Sequence, residues 1–226
     1  MPDATPDPTR VAAPIADPAS SSRTGSVGRT LIIACGALTR ELRAVLGQLP
    51  PTLAASFDVE YLPAPLHNRP ERIPGLIDEL LTEKANHYGH IAVAYADCGT
   101  GGLLDAVLLR HGVQRLPGAH CYEFFAGSAI FSALHETELG TFFLTDYLCK
   151  HFDSLVIGSL GLDRHPELRD MYFGNYVRLV LLSQTEDPAL VDLGRAAAVR
   201  LGLTFEHRHV GMQPFTDAVN NVVGAH

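Results

Sequence analysis

The sequence has no tryptophan, three methionines and four cysteines in 226 residues. The missing tryptophan decides nothing about function, but the scarcity of cysteine does. Four cysteines are too few for a disulfide scaffold, and no C-x-x-C pair gives a local metal or redox signature. Basic residues are also short: 17 Lys and Arg stand against 25 Asp and Glu, a formal net charge of -8. A surface of that sign does not track phosphodiester backbones, which argues against nucleic acid as the main partner. Long apolar runs are absent as well. No stretch approaches the roughly 18 residues needed to span a bilayer. The N-terminus lacks the basic start and apolar core of a secretory signal. A cytoplasmic protein without a membrane partner is expected, its oligomeric state open. In a reducing compartment its cysteines are buried small residues, metal ligands or reactive thiols.

What is present is an apolar fraction of 46%, enough to bury a substantial core. Residues 1–29, rich in Pro, Ala, Ser and Asp, cannot bury enough surface to offset chain ordering, so a disordered tail is expected there. Residues 30–226 form the folded part, either one α/β domain or two lobes, about 30–135 and 136–226. The apolar run Leu31–Ala34 reads as a strand covered on both faces, followed by a short helix over 41–46 with Thr39 as its cap. Phe57–Leu62 reads as a strand, 71–86 as a helix and Ile91–Tyr95 as a third strand. Leu103–His111 reads as a helix and His120–Phe124 as a fourth short strand, with a helix after Gly127. Residues 137–160 look largely helical, with Thr145 as a possible cap. A strand at Tyr176–Ser183, a helix at 189–201 and a strand at Thr204–Val210 complete the pattern. Alternating strands and helices predict mostly parallel sheets flanked by helices. The unit Ile91–Phe124 is echoed by Tyr176–Val210, which suggests two similar βαβ lobes facing a central cleft, although any two βαβ units look alike.

Ligands of parallel sheets bind beyond the carboxyl ends of the strands. Cys35 ends the first strand, Cys98 follows the third, Cys121 lies in the expected fourth, and His67 sits in the loop after the second. Three thiolates and one imidazole suit zinc in tetrahedral array; iron or an Fe–S cluster could use the same donors, and copper less readily. The competing explanation is that Cys35 and Cys121 are ordinary buried small residues, as Cys149 is expected to be. Gly99, Thr100, Gly101 and Gly102 stand between a strand and a helix, where backbone N–H groups can hold the anionic part of a small ligand or cofactor. The alternative there is a tight turn that needs positive φ. Glu123 and His165 are the candidate catalytic proton carriers, with Asp97 a further base or partner of a metal-bound histidine. The charged loop Gly161–Glu167 is equally explained as a solvated cap. His207 and His209 share one face of the last strand.

The motifs Ala34-Cys35-Gly36-Ala37-Leu38, Leu66-His67-Asn68-Arg69-Pro70, Tyr95-Ala96-Asp97-Cys98-Gly99-Thr100-Gly101-Gly102, Cys121-Tyr122-Glu123-Phe124-Phe125-Ala126-Gly127 and Gly161-Leu162-Asp163-Arg164-His165-Pro166-Glu167-Leu168 together resemble one family. It is a bacterial and archaeal domain of unknown function whose genes tend to lie near corrinoid-dependent methyltransferases, and the likeness covers nearly everything after residue 30. The resemblance implies one-carbon transfer through corrinoid or folate carriers, with a corrinoid protein or methyltransferase as partner. Zinc at the cysteines fits that context, because zinc activates thiols for methyl transfer. The expected function is a metal- or thiolate-dependent enzyme or accessory enzyme of methyl metabolism. The alternative is a non-catalytic carrier of a metal, a corrinoid or a small anionic ligand.

Overall fold

The computed structural model describes residues 28–224, so the expected tail lies outside the described residues except for its last two positions. The first half of the chain comprises β1 (Thr30–Cys35), α1 (Thr39–Leu46), α2 (Pro51–Ala54), β2 (Phe57–Leu62), α3 (Ile73–Lys84), β3 (His90–Ala94), α4 (Leu103–His111) and β4 (Gln114–Arg115). Two helices, α5 (Cys121–Ala126) and α6 (Ser128–Thr137), lead to the second half. There follow β5 (Thr141–Thr145), α7 (Asp146–Lys150), α8 (Arg169–Phe173), β6 (Arg178–Ser183), α9 (Pro188–Leu201), β7 (Thr204–His209) and α10 (Gln213–Val223).

Two sheets result, both wholly parallel: one of four strands in the order β2-β1-β3-β4, the other of three in the order β5-β6-β7. The β1 run is apolar throughout because both of its faces are covered. Ile32 and Ala34 face α1, α5 and α10, while Leu31 and Ile33 face α3 and α4. In the second sheet Leu179 and Leu181 pack on α7 and α9, and Val180 and Leu182 pack toward Leu134 of α6. The expected α/β class with parallel sheets and flanking helices is therefore the observed one.

Two expectations are corrected. His120–Phe124 is not a strand: Cys121–Ala126 is helical, and the fourth strand is Gln114–Arg115. Its aromatic run suits a strand locally, but Phe124 and Phe125 pack on Phe215 of α10, with centroids 5.6 and 5.1 Å apart, and that packing prevails. Residues 137–160 are not continuously helical. Thr141–Thr145 forms β5, Thr145 caps α7 by accepting from the Leu148 N–H, and a single π-type turn covers Asp153–Gly158. Helix α10, from the end of the chain, crosses back to cover the first sheet, with Phe215 fully buried there.

Candidate functional site

Strand order places a switch point between β1 and β3. From β1 the chain crosses to β2 through α1 on one face, then returns to β3 through α3 on the other, and these two strands' carboxyl ends border the resulting crevice. Cys35 ends β1 there. Gly36 follows it because a Cβ would stand 2.8 Å from the Leu62 carbonyl oxygen, so only glycine lets this turn approach the end of β2. The same approach brings in the 3-10 turn Ala64–Asn68, which carries His67. After β3, the Asp97 and Cys98 amides donate to the Gly118 and Ala119 carbonyls, at 3.1 and 2.9 Å. That pairing sets Cys121, the first residue of α5, beside Cys98.

Cys35, Cys98, Cys121 and His67 consequently line one cavity of about 30 Å³, room for about one or two waters or an ion. The second lobe closes it with Thr145, Leu148 and Leu155. Asn68 ties the lobes together here, its Nδ2 donating to the Leu155 carbonyl at 3.0 Å. Tyr95 forms part of the wall, and its buried hydroxyl completes no hydrogen bond, although it faces the Cys35 sulfur. His67 and Cys98 also border a wider cleft of about 420 Å³ with His120, His135, Tyr122 and Phe131, so the thiol cavity lies behind that opening.

Burial is the main influence on the site's protonation, and neighbouring thiols add to it. Burial and the nearby Cys35 push Cys98 up to about 12, and Cys35 rises for the same first reason. Cys121 is raised by burial and by both other cysteines. All three are neutral thiols at neutral pH unless a cation joins them. His67 is held below the ordinary histidine value by burial and then by His120, which leaves its imidazole neutral with a free lone pair. His67 is nonetheless solvent-exposed on the cleft side, where an incoming ligand would meet it. Among the described residues no three His, Cys, Asp or Glu side chains stand close enough around one point to hold a metal ion. The donor set suits a soft metal in kind, but its spacing is not that of a closed site.

The backbone singles out Cys98. It has φ of 51°, in the left-handed region, where every other described residue with positive φ is glycine.

The remaining candidates fall elsewhere. The glycine loop is turned inward: Thr100 Oγ1 donates to Asp97 Oδ1 at 2.6 Å, and the Gly102 and Gly101 amides donate to the same carboxylate at 2.8 and 3.1 Å. Burial alone would raise the Asp97 pKa, but those donors together hold it below the ordinary value. The anion at this helix N-terminus is thus the chain's own, which corrects the expectation that Gly101, Gly102 and Thr100 offer theirs to a ligand. Gly99 alone of the four borders the cleft. Glu123 accepts from the Ala119 amide and the Ser128 hydroxyl, at 3.0 and 2.9 Å, and lines neither cavity. His165 is exposed on the second lobe, paired with Glu167 at 3.1 Å. Both expected proton carriers therefore stand off the site. His207 and His209 do share a face, and both reach the buried Ser183 hydroxyl, at 2.8 and 3.3 Å. Tyr95 and the cleft histidines His120 and His135 were not singled out by sequence reasoning. Tyr95 ends an apolar strand run, and the other two gain meaning only from a cleft made by two lobes.

The fold and cavity define an α/β protein of two parallel sheets with a thiol-lined pocket at a switch point. The chain belongs to the family described as Protein of unknown function (DUF1638), whose model matches residues 61–219. No curated protein and no solved structure was found to match it. β1 and Cys35 precede the matched span.

Proposed function

We propose that this is a metal- or thiolate-dependent protein of methyl and one-carbon metabolism, an enzyme or accessory enzyme of corrinoid-dependent methyl transfer. The observation that carries the reading is the meeting of Cys35, Cys98, Cys121 and His67, from four separate segments, on one cavity. The corrinoid context comes from the family resemblance. Zinc is the ion that three thiols and a neutral imidazole suit best, with iron or an Fe–S cluster as the alternative. Loading would draw the thiols inward, since metal–sulfur bonds are about 2.3 Å long. A bound soft cation would stabilise the thiolates and supply Lewis acidity toward a sulfur or methyl donor. The chain's own groups have defined parts. His67 donates its lone pair, the Tyr95 hydroxyl is free to hydrogen-bond a Cys35 thiolate, and the apolar wall of Leu148 and Leu155 keeps water out.

A second reading, a non-catalytic carrier of a metal, a corrinoid or a small anionic ligand, is favoured by one observation. With Glu123 and His165 away from the cavity, His67 is, among the described residues, the one histidine or carboxylate that lines it. A carrier needs no proton relay.

The deciding experiment is elemental analysis of wild type and Cys98→Ser purified without oxygen, followed by titration of metal-free protein with Co²⁺ and Zn²⁺. Near-stoichiometric zinc or iron that vanishes in the variant, with thiolate-to-cobalt absorption in the wild type, supports the proposal. No metal after purification and no uptake on titration would overturn it. Reversible release to a chelator without turnover of a methyl donor selects the carrier.

A further inference from the structure

A further concavity lies between the start of α1 and α7. It measures about 410 Å³, within the range of small-molecule sites, and its lining includes Arg40, Glu41, Arg43, Asp146, Lys150 and His151. It shares no lining residue with the thiol cavity.

Glu41 is the anomaly. Its residue is only 4% exposed, and its Oε2 is buried with no hydrogen-bond partner. A buried carboxyl oxygen left without a donor is costly, so such an atom usually has a partner. Neighbouring Asp146, 1% exposed, shows the contrast. One of its oxygens accepts from the Gln184 amide at 2.9 Å, the other accepts from the Thr185 hydroxyl at 2.6 Å, and Arg40 approaches the latter to 3.8 Å. Two buried carboxylates thus belong to the lining of one groove, and one oxygen lacks a donor. The rim has the opposite sign. Arg43 and Lys150 have no carboxylate within ion-pair distance among the described residues, although the Lys150 charge is felt at Glu41, in a chain whose formal net charge is -8. Cations left unpaired at the mouth of a concavity favour an anion there.

We propose that this groove is a second small-molecule site, taking a compound with an ammonium group for Glu41 and an anionic group for Arg43 and Lys150. On turning toward the groove, Glu41 would give its unpartnered Oε2 to the ammonium, which would then lie close to Asp146 as well. The carboxylate or phosphate of the same compound would neutralise the rim. Neither half alone answers both features, which is why the class is zwitterionic.

The test is calorimetric titration of the full chain with phosphoethanolamine and with β-alanine, each against its halves: phosphate, acetate and ethanolamine. At least one zwitterion is expected to bind about tenfold more tightly than either of its halves, the gain of one charge-assisted contact. Glu41→Gln should remove that tenfold advantage while leaving the anion's own affinity. Arg43→Ala with Lys150→Ala, both at exposed positions, should weaken zwitterion and anion alike. Metal content should be unchanged in all three variants, so failure here is separable from failure at the thiol cavity. Equal binding of zwitterion and anion, unaltered by Glu41→Gln, would overturn the proposal. So would no heat from either zwitterion at millimolar concentration. If Glu41→Gln fails to fold, the zwitterion-to-anion ratio in wild type decides alone.

Discussion

Cys98 combines a left-handed backbone, which opposes stability, with a thiol that burial keeps protonated. A side chain in the left-handed region costs on the order of 1–2 kcal/mol, which glycine escapes at the expense of a more flexible unfolded chain. The usual order of substitutions should therefore reverse here. Denaturant unfolding should find Cys98→Gly at least as stable as Cys98→Ala, the difference being up to about 1 kcal/mol. An alanine variant clearly more stable than the glycine one would remove the strain argument. The protonation of the pocket carries a second expectation. Its thiols hold their protons through the neutral range, with Cys98 pushed up to about 12. A cation that takes a thiolate must release that proton, so its apparent affinity rises with pH. The rise is up to about tenfold per pH unit for each thiol engaged. His67 adds nothing to the slope above its lowered pKa, because it is already neutral. Chelator competition at several pH values between 6 and 8 measures the slope (about 7 being the midpoint). A flat profile would show that the thiols are not the ligands.

At the scale of elements, the loop between β3 and α4 shows how a motif and its use can part. Glycines between a strand and a helix N-terminus signal an anion, and an anion is there: the Asp97 carboxylate, three residues before the Thr100 hydroxyl it accepts from. Asp97→Ala should cost about 1–3 kcal/mol, because it strands two amides and a hydroxyl at the start of α4. Added phosphate or sulfate should restore part of that stability by occupying the emptied cradle. Thermal unfolding with and without the anion checks this; no anion-dependent recovery in the variant would refute it. The sequence announces this loop through its glycines, but it cannot say whether the anion is internal, since Asp97 could as easily point outward. Elsewhere, element type was legible wherever one face pattern dominated. β1, β2, β3, α4 and α9 lie within a residue or two of expectation because their apolar periodicity is unbroken. Cys121–Ala126 and Thr141–Thr145 depart from their sequence pattern for opposite reasons. The first is an aromatic run held helical by α10, the second a five-residue strand hidden between helices. Helix α10 was missed altogether, although its apolar face, Phe215, Val219 and Val222, covers the first sheet.

At the scale of the whole molecule, the site exists only because two sheets meet. Sequence could place Cys35, Cys98 and His67 at the carboxyl ends of strands. It could not show that Thr145, Leu148 and Leu155, more than twenty residues past the last of those cysteines, close the cavity over them. Nor could it exclude Glu123 and His165, whose distance from the thiols is set by how α5 and the second lobe are oriented. Among the described residues no helix is long and apolar enough to cross a membrane. Closure of the cavity depends on the packing of the second sheet's helices against the first sheet's loops. Asn68 is a direct fastening: it follows His67 in the same turn and bonds to Leu155 in the opposite wall. Removing that amide leaves both sheets intact but loosens the junction where the thiols are covered. Asn68→Ala should lower stability by only about 1 kcal/mol, while alkylation of Cys98 and Cys121 in the native protein becomes several times faster. The rate, read by mass spectrometry under conditions where the protein stays folded, separates local opening from global unfolding. Acceleration in proportion to the stability lost would mean that the thiols react only through unfolding. Acceleration beyond that would make the lobe junction the gate to the pocket, and a ligand that draws the thiols together should then slow alkylation in the variant as well as in the wild type.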